Sequence, residues 1–261
     1  MGRQPKTRSL RHAGRAWPEV KPEAGIGNPD AGGSLARDGF EIVPDVLPDG
    51  QCDIIASELS VLPDAREGPT NGRHYRGRNL LRRVPAVAQL ASSKLLKGIL
   101  ESRLKREIFP VRALFFDKNA DANWTVAWHQ DLTIAVARKI ETPGFGAWSI
   151  KEGIVHVRPP AEILENMATL RLHLDKCDAD DGALKVIPRS HLRGRLDSTE
   201  IGACAEKNAG LICAVPKGGA LLMRPLLLHS SSRAKRPVHR RVLHLEYASV
   251  GLPAGLEWFD S

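Results

Sequence analysis

The feature that most constrains the fold of this 261-residue chain is a succession of short apolar segments from residue 108 onward. In residues 168–175, Leu170, Leu172 and Leu174 alternate with Thr169, Arg171 and His173. That alternation has the two-residue period of a β-strand with two different faces. Asp-Gly and Gly-Gly turn signals separate further strand-like segments, at residues 111–116, 125–131, 183–187, 211–215, 220–228 and 242–247.

Two segments with a helical spacing of apolar residues precede these strands. Residues 49–62 begin at Asp49, a helix-capping residue type, and residues 87–104 place leucine and isoleucine on one face. A short strand is predicted at residues 39–43. Two helices followed by many short strands predict a mainly β protein with flanking helices, built as a β-sandwich or jelly-roll barrel.

The composition divides the chain into an arm and one domain. Residues 1–35 combine scattered arginine and lysine with four prolines, which predicts a flexible basic N-terminal arm. Residues 36–261 are enough for a single domain with a real core. The sequence contains no apolar run of roughly 18 residues, the length that a membrane span needs. We therefore expect a soluble, cytoplasmic protein without a membrane partner.

The sharpest local signal is an HxD triplet, His129-Gln130-Asp131, at the end of a predicted strand. Side chains at i and i+2 of a strand project from the same face, so His129 and Asp131 can reach one cation. A histidine from a distant strand would complete a two-histidine, one-carboxylate face, which leaves open positions on Fe(II) for other ligands and O2. An HxD triplet occurs often by chance, so the interpretation depends on two further residues.

The two further residues are His229 and Arg240. His229 follows the apolar segment 226–228, and a histidine that closes such a strand emerges at the mouth of a barrel. Arg240 opens the next predicted strand, where a guanidinium can bind a carboxylate through paired hydrogen bonds. Arg241 is adjacent, and only one of the two can face inward because strand neighbours point to opposite faces. We favour Arg240.

In this order, the residues resemble the phytanoyl-CoA dioxygenase family of Fe(II)/2-oxoglutarate oxygenases. The similarity runs from about residue 38 to 250 and is strongest after residue 110; the segments that carry it are 117–118, 128–131, 148, 170–175, 182–191 and 229–247. The resemblance implies a double-stranded β-helix, the cupin-like jelly roll, with iron at one open end. Arg189 stands where the family usually has glycine.

The resemblance also implies roles for individual residues. His129, Asp131 and His229 would bind Fe(II), and Arg240 would bind the distal carboxylate of 2-oxoglutarate. The other cosubstrate residues that it implies are Ser231, Gln130 and Trp148. With O2 as the second cosubstrate, the implied reaction is hydroxylation of a small-molecule metabolite (amino-acid-derived, acyl or a natural-product intermediate), with release of succinate and CO2. Related halogenases lack the carboxylate ligand, so Asp131 favours hydroxylation.

Candidate substrate residues lie between and beside these motifs. Residues 132–167 look like a long loop with aromatic and basic residues, which favours a lid over the iron. Lys151 and His156 lie in that segment and are candidate substrate contacts, although a structural role is commoner for such a histidine. Arg171 would bind an anionic substrate if its strand face lines the barrel, or would form an internal salt bridge with an aspartate.

Two other functions fit parts of the sequence. The formal net charge of +8 is compatible with the same metal chemistry on a nucleic acid or a protein. Aromatic residues make up only 5% of the chain, and basic residues are dispersed, which argues against nucleic-acid binding. A non-catalytic cupin-like binding module is the third possibility, but it would have lost a ligand, whereas all three ligands and the arginine are present.

Overall fold

The computed structural model describes residues 33–61, 75–235 and 238–260. Most of the predicted N-terminal arm, residues 1–32, therefore lies outside the described residues. Structure is already present three residues before the predicted domain start at residue 36, since Gly33–Ser34 pairs with the next strand and Leu35 is buried. Among the described residues, the longest helix has 12 residues, so none is long and apolar enough to cross a membrane.

Three antiparallel sheets build the molecule. The seven-stranded sheet has the order β1-β2-β12-β9-β14-β4-β3, the four-stranded sheet β11-β10-β13-β5, and the three-stranded sheet β6-β8-β7. The strands are β1 (Gly33–Ser34), β2 (Phe40–Val43), β3 (Tyr75–Gly77), β4 (Phe109–Lys118), β5 (Val126–His129), β6 (Ile134–Val136), β7 (Gly146–Lys151), β8 (Ile154–Arg158), β9 (Met167–His173), β10 (Leu184–Val186), β11 (Leu211–Ile212), β12 (Ala220–Met223), β13 (His229–Ser231) and β14 (Arg240–Ala248).

The helices flank this β-structure, as the sequence predicts. They are α1 (Asp49–Ser60), α2 (Leu80–Arg83), α3 (Pro85–Ala91), α4 (Lys94–Leu104), α5 (Ala161–Glu165) and α6 (Ser198–Lys207). The architecture is a jelly roll of the cupin-like type, which confirms the predicted fold class.

The two faces of the seven-stranded sheet have different surroundings. The predicted alternation of β9 is confirmed, because Leu170 and Leu172 pack with the helices in the largest hydrophobic core. Leu243 and Leu245 of β14 join them there. The opposite face looks into the barrel, toward the four-stranded sheet. Residues with odd numbers on β9 and even numbers on β14 therefore line the barrel interior.

The predicted single helix at residues 87–104 is wrong. Two helices, α3 and α4, occupy this segment, and the break lies at Ser92 and Ser93. The Ser93 hydroxyl accepts a hydrogen bond from the backbone N–H of Leu96 at 3.3 Å and caps the second helix. The new helix axis leaves Leu95, assigned to the buried face, 49% exposed. At α1, Pro48 holds the N-cap position that Asp49 was expected to occupy.

Two strand predictions also need correction. The apolar run 220–228 is not one strand, because β12 ends at Met223 and a turn at residues 224–228 carries the chain to the four-stranded sheet. His229 therefore opens β13 rather than closing β12. The segment 132–167 is not a loop: most of it forms the three-stranded sheet and α5. Val136 and Val157 of this segment pack in a second core with Leu226 and Trp258. Pairing of β8 with β6 and β7 satisfies backbone hydrogen-bonding groups of the segment.

Candidate active site

Three ligand side chains converge where β5 and β13 pair. His129 is the last residue of β5, His229 is the first of β13, and the two are Cα partners in the antiparallel pair. Asp131 follows two residues after His129, and its backbone N–H donates to the carbonyl of Pro225 at 2.9 Å. The three ligand atoms lie within 4.8 Å of one another. The structure thus brings together all three residues predicted to bind iron.

The orientation of the three side chains suits a metal ion. Nε2 of His129 lies 3.7 Å from Oδ1 of Asp131, and Nε2 of His229 lies 3.6 Å from Oδ2. The Nδ1 atoms of both rings lie 2.9 Å from backbone carbonyls, those of Ala127 and Leu227. Those carbonyls accept the Nδ1 protons, so both Nε2 atoms are left to act as ligands.

The electrostatics of the three residues agree with this geometry. Burial, and then the neighbouring His129, lower the pKa of His229 to about 3, so this ring is the neutral ligand that a metal requires. Burial alone would raise the pKa of Asp131, but His229 and His129 hold it well below its usual range. Two neutral imidazoles and one carboxylate are the donor set of non-haem Fe(II) sites. The residues therefore fit iron.

A second group of polar side chains lies deeper in the barrel. Arg240 is 3% exposed, and one of its terminal N–H groups donates to the carbonyl of Gly182 at 2.8 Å. Its Nε is buried and has no hydrogen-bond partner among the described residues. Ser231 is also buried and lies two residues beyond His229 on β13. A buried guanidinium with an unused donor fits a carboxylate ligand such as that of 2-oxoglutarate.

The choice between the two adjacent arginines is clear in the structure. Arg241 points to the other face of β14, where its side chain donates to both carboxylate oxygens of Asp175 at 2.8 and 2.6 Å. Arg240 faces the interior, as predicted.

Lys118 belongs to the same group, although the sequence assigned it no role. It is the Cα partner of Arg240 across β4 and β14, and it is fully buried. Its Nζ donates to the Ser231 hydroxyl at 3.2 Å and to the carbonyl of Ser232 at 2.6 Å. Burial, and then the charge of Arg240, lower the pKa of Lys118 to about 7. Lys118 lies beside Arg240 only because of the register between β4 and β14, and no local sequence pattern predicts that register.

Two of the predicted cosubstrate residues have other surroundings. The Gln130 amide donates to the carbonyls of Gly194 and Leu226 and accepts from the N–H of Leu196. Through these backbone contacts, the Gln130 side chain joins the segment at residues 194–196 to the turn at Leu226. Trp148 packs in the second core on β7, with its Nε1 buried and without a partner among the described residues.

Arg171 lies in the barrel interior and starts a chain of buried polar contacts. It donates to Nδ1 of His244 at 2.7 Å, and Nε2 of His244 lies 3.3 Å from the carboxylate of Glu246. Arg112 donates to the same carboxylate oxygen at 3.0 Å. The contact with His244 gives Arg171 a histidine partner on the interior face of the sheet. Counting every second residue from Arg240 selects His244 and Glu246, so the sequence contains the signal that finds them.

The remaining candidate substrate residues lie in the three-stranded sheet. His156 of β8 is 1% exposed, and its Nδ1 lies 3.0 Å from the carbonyl of Ile154. Burial, and then Arg112, lower its pKa to about 4, so the ring is neutral. Lys151 ends β7 and is half-buried. The described contacts join neither residue to the three ligands.

The jelly roll and its two-histidine, one-carboxylate site define the class of non-haem iron oxygenases. The model of the family described as "Phytanoyl-CoA dioxygenase (PhyH)" matches residues 35–242, most of the chain. The chain therefore belongs to the phytanoyl-CoA dioxygenase family and is an Fe/2-oxoglutarate enzyme, which confirms the resemblance seen in the sequence.

Solved structures agree on the fold, while no curated protein matches the sequence. The α-ketoglutarate-dependent epimerase SnoN of nogalamycin biosynthesis is 16% identical, with a TM-score of 0.61 over 82% of this chain and 79% of that one. The carbocyclase SnoK of the same pathway is 13% identical, with a TM-score of 0.66 over 87% and 84%. EctD from S. alaskensis, solved with bound Fe, is 18% identical, with a TM-score of 0.62 over 88% and 79%.

Proposed function

We propose that this protein is an Fe(II)/2-oxoglutarate-dependent dioxygenase that hydroxylates a small-molecule metabolite. The observation that carries the proposal is the occurrence of two sites in one barrel, a partly exposed one and a buried one. His129, Asp131 and His229 form a metal-binding face, and Arg240 points an unused donor into the same interior. Relatives with this fold include enzymes solved with iron or with nickel and 2-oxoglutarate.

Each part of the proposed reaction falls to a specific group. His129, Asp131 and His229 would hold the iron, and Arg240 with Ser231 and Lys118 would bind the distal carboxylate of 2-oxoglutarate. When bound, iron and 2-oxoglutarate would activate O2, the oxidant of the reaction: one oxygen atom goes to the substrate, the other goes to succinate, and CO2 is released. The barrel orients the cosubstrate and keeps water away from the distal carboxylate, which strengthens its contacts with the cations.

The substrate side of the proposal is an anionic group bound by Arg171. The charge of Arg171 contributes to lowering the pKa of Asp131, which indicates that the guanidinium lies near the metal face. Its guanidinium donates to His244, and His244 in turn contacts the carboxylate of Glu246. These contacts orient the guanidinium. A carboxylate or phosphate of an amino-acid-derived, acyl or natural-product substrate would meet Arg171 beside the iron. Lys151 and His156 remain candidate contacts for more distant parts of such a substrate.

The experiment that tests the function is a screen for stimulated 2-oxoglutarate consumption with Fe(II) and O2. Anionic metabolites and matched neutral analogues, such as amides or esters, are supplied in pairs. We expect a class of anions to raise succinate release and to give a product 16 mass units heavier than the substrate, the mass of one oxygen atom. A product of unchanged mass would indicate isomerisation, and a product of lower mass would indicate cyclisation. Either result would contradict hydroxylation and favour a reaction of the epimerase or carbocyclase type.

Two variants complete this screen. His129→Ala should abolish turnover with every substrate, and full activity of this variant would refute the metal assignment. Arg171→Met should lower the rate with the anionic substrate but change the rate with its neutral analogue little. Equal losses with both compounds would contradict the assignment of Arg171.

A further inference from the structure

A buried histidine on the interior face of β9 has no role in the site described so far. His173 is the Cα partner of Val242 on β14, so on the same face it lies diagonally across from Arg240 and from His244. Arg171 precedes it by two residues and therefore shares its face. His173 thus lies among the polar side chains that line the barrel, between the two interior arginines.

Both ring nitrogens of His173 lack a hydrogen-bond partner among the described residues. The residue is 3% exposed, and neither Nδ1 nor Nε2 makes a hydrogen bond within the described part of the chain. Leaving a buried polar group unsatisfied costs about 1–3 kcal/mol, so proteins rarely leave both nitrogens of an imidazole in this state. The guanidinium of the neighbouring Arg171 donates a hydrogen bond to Nδ1 of His244. A bound molecule in the barrel is the natural partner of the ring.

The charges around His173 indicate what kind of molecule this is. Burial, and then Arg171 and Arg240, lower the pKa of His173 well below its usual range, so the ring is neutral and offers one N–H donor. The Nε of Arg240 is a second buried donor without a partner. Two unused donors on one barrel face, beside two guanidinium groups, suit an anionic acceptor and repel a cation.

We infer that His173 donates a hydrogen bond to the same carboxylate of 2-oxoglutarate that Arg240 binds. The inference rests on the proposed function, because it takes 2-oxoglutarate as the molecule in the barrel. His173 is a binding and positioning residue in this account: it approaches the carboxylate from β9, while Arg240 approaches from β14 and Lys118 from β4. A carboxylate has about four acceptor positions, so three donors can share it.

The test compares two ligands in two proteins. Dissociation constants of 2-oxoglutarate and of 2-oxopentanoate, which carries a methyl group in place of the distal carboxylate, are measured by calorimetry with redox-inert Mn(II) bound. In His173→Leu, we expect the affinity for 2-oxoglutarate to fall roughly tenfold, the effect of losing one hydrogen bond to a charged group. The affinities for 2-oxopentanoate and for Mn(II) should not change.

Two further variants serve as controls for this comparison. His173→Asn keeps a donor on a shorter side chain and should restore the affinity for 2-oxoglutarate to within about threefold of the wild type. His191→Leu removes a partly buried histidine of the segment 190–193, whose Nδ1 also has no partner among the described residues, and should leave the affinity for 2-oxoglutarate unchanged. Circular dichroism before each titration identifies any variant that does not fold.

The possible outcomes distinguish a failure of the inference about His173 from a failure of the proposed function. If wild-type protein with Mn(II) does not bind 2-oxoglutarate, the proposed function fails. If wild-type protein binds it and His173→Leu binds it equally well, only the inference is overturned, and the ring faces a buried water instead. Equal losses for 2-oxoglutarate and 2-oxopentanoate would also overturn the inference, because the effect would not depend on the distal carboxylate.

Discussion

His129 and His229 face each other across two paired antiparallel strands, with ring centroids 4.1 Å apart. Each ring is oriented by a carbonyl two residues earlier in its own strand. Asp131 lies against both Nε2 atoms and completes the group. The two strands, and not a flexible loop, position two of the three ligands, so the site is built before any metal binds.

Removing one ligand should weaken metal binding strongly. We expect Asp131→Ala to lower the affinity for Fe(II) or Mn(II) by about 100-fold or more, since loss even of a ligand's supporting contact costs 10- to 100-fold. Metal content after dialysis and calorimetric titration measure this. Asp178→Ala is the matched control, because this carboxylate caps a turn away from the triad. Unchanged metal affinity in Asp131→Ala would contradict the ligand assignment.

The adjacent arginines of β14 offer a matched pair. Arg240→Met should raise the dissociation constant of 2-oxoglutarate by about 10- to 100-fold, because paired hydrogen bonds between charged groups are lost. Arg241→Met should leave that constant unchanged and lower the free energy of unfolding by about 1 kcal/mol, through the loss of its contact with Asp175. Calorimetric titration and urea unfolding measure the two quantities. The opposite pattern would assign the carboxylate to Arg241.

Binding of 2-oxoglutarate should take up a proton at Lys118. The pKa of about 7 leaves this amine mostly neutral at pH 8 in the free protein, and a bound carboxylate favours the charged form. Affinity should therefore fall by up to tenfold per pH unit above pH 7, whereas below pH 7 the amine is already protonated and contributes no slope.

Calorimetry in buffers of different ionisation enthalpy at pH 8 measures this proton uptake. Wild-type protein should take up close to one proton per bound 2-oxoglutarate, and Lys118→Met should take up almost none. Equal uptake by both proteins would assign the proton to another group.

Gly182 supports Arg240 through its backbone. It has a φ of +70°, and an added Cβ would lie 2.5 Å from the carbonyl oxygen of Ser232. We expect Gly182→Ala to lower the free energy of unfolding by about 2 kcal/mol and, because its carbonyl holds Arg240, to weaken 2-oxoglutarate binding. Gly153→Ala has a similar φ but open space around it, so it should cost only about 1 kcal/mol and spare binding. Equal effects of both changes on binding would refute the supporting role.

The parts of the site that follow the strand period could be predicted from the sequence. The HxD spacing gives His129 and Asp131; the alternation within β14 allows only one of Arg240 and Arg241 to face inward, and the family resemblance favours Arg240. Arg189 is visible in the sequence as a departure, because the family usually has glycine there. It adopts a φ of +65°, so a non-glycine residue holds the left-handed conformation of the turn.

The parts that depend on long-range pairing could not be predicted. Lys118 reaches the carboxylate site only because β4 pairs with β14 in one particular register. In the turn at residues 224–228, Pro225 marks a break in the apolar run 220–228, but it does not show that the chain changes sheets there before His229. The segment 132–167 contains turn signals at Pro143-Gly144 and Pro159-Pro160, but its strands are stabilised by packing on distant residues such as Trp258, which local patterns do not reveal.

The most direct test of the proposed site is an anaerobic titration of the protein with Fe(II) and then 2-oxoglutarate, followed by visible absorption. We predict one Fe(II) per chain and a charge-transfer band that saturates at one 2-oxoglutarate per iron. The double variant His129→Ala/His229→Ala should give neither. A wild-type protein that shows no band, or a double variant that shows the same band with the same affinity, would contradict the assignment of iron to His129, Asp131 and His229.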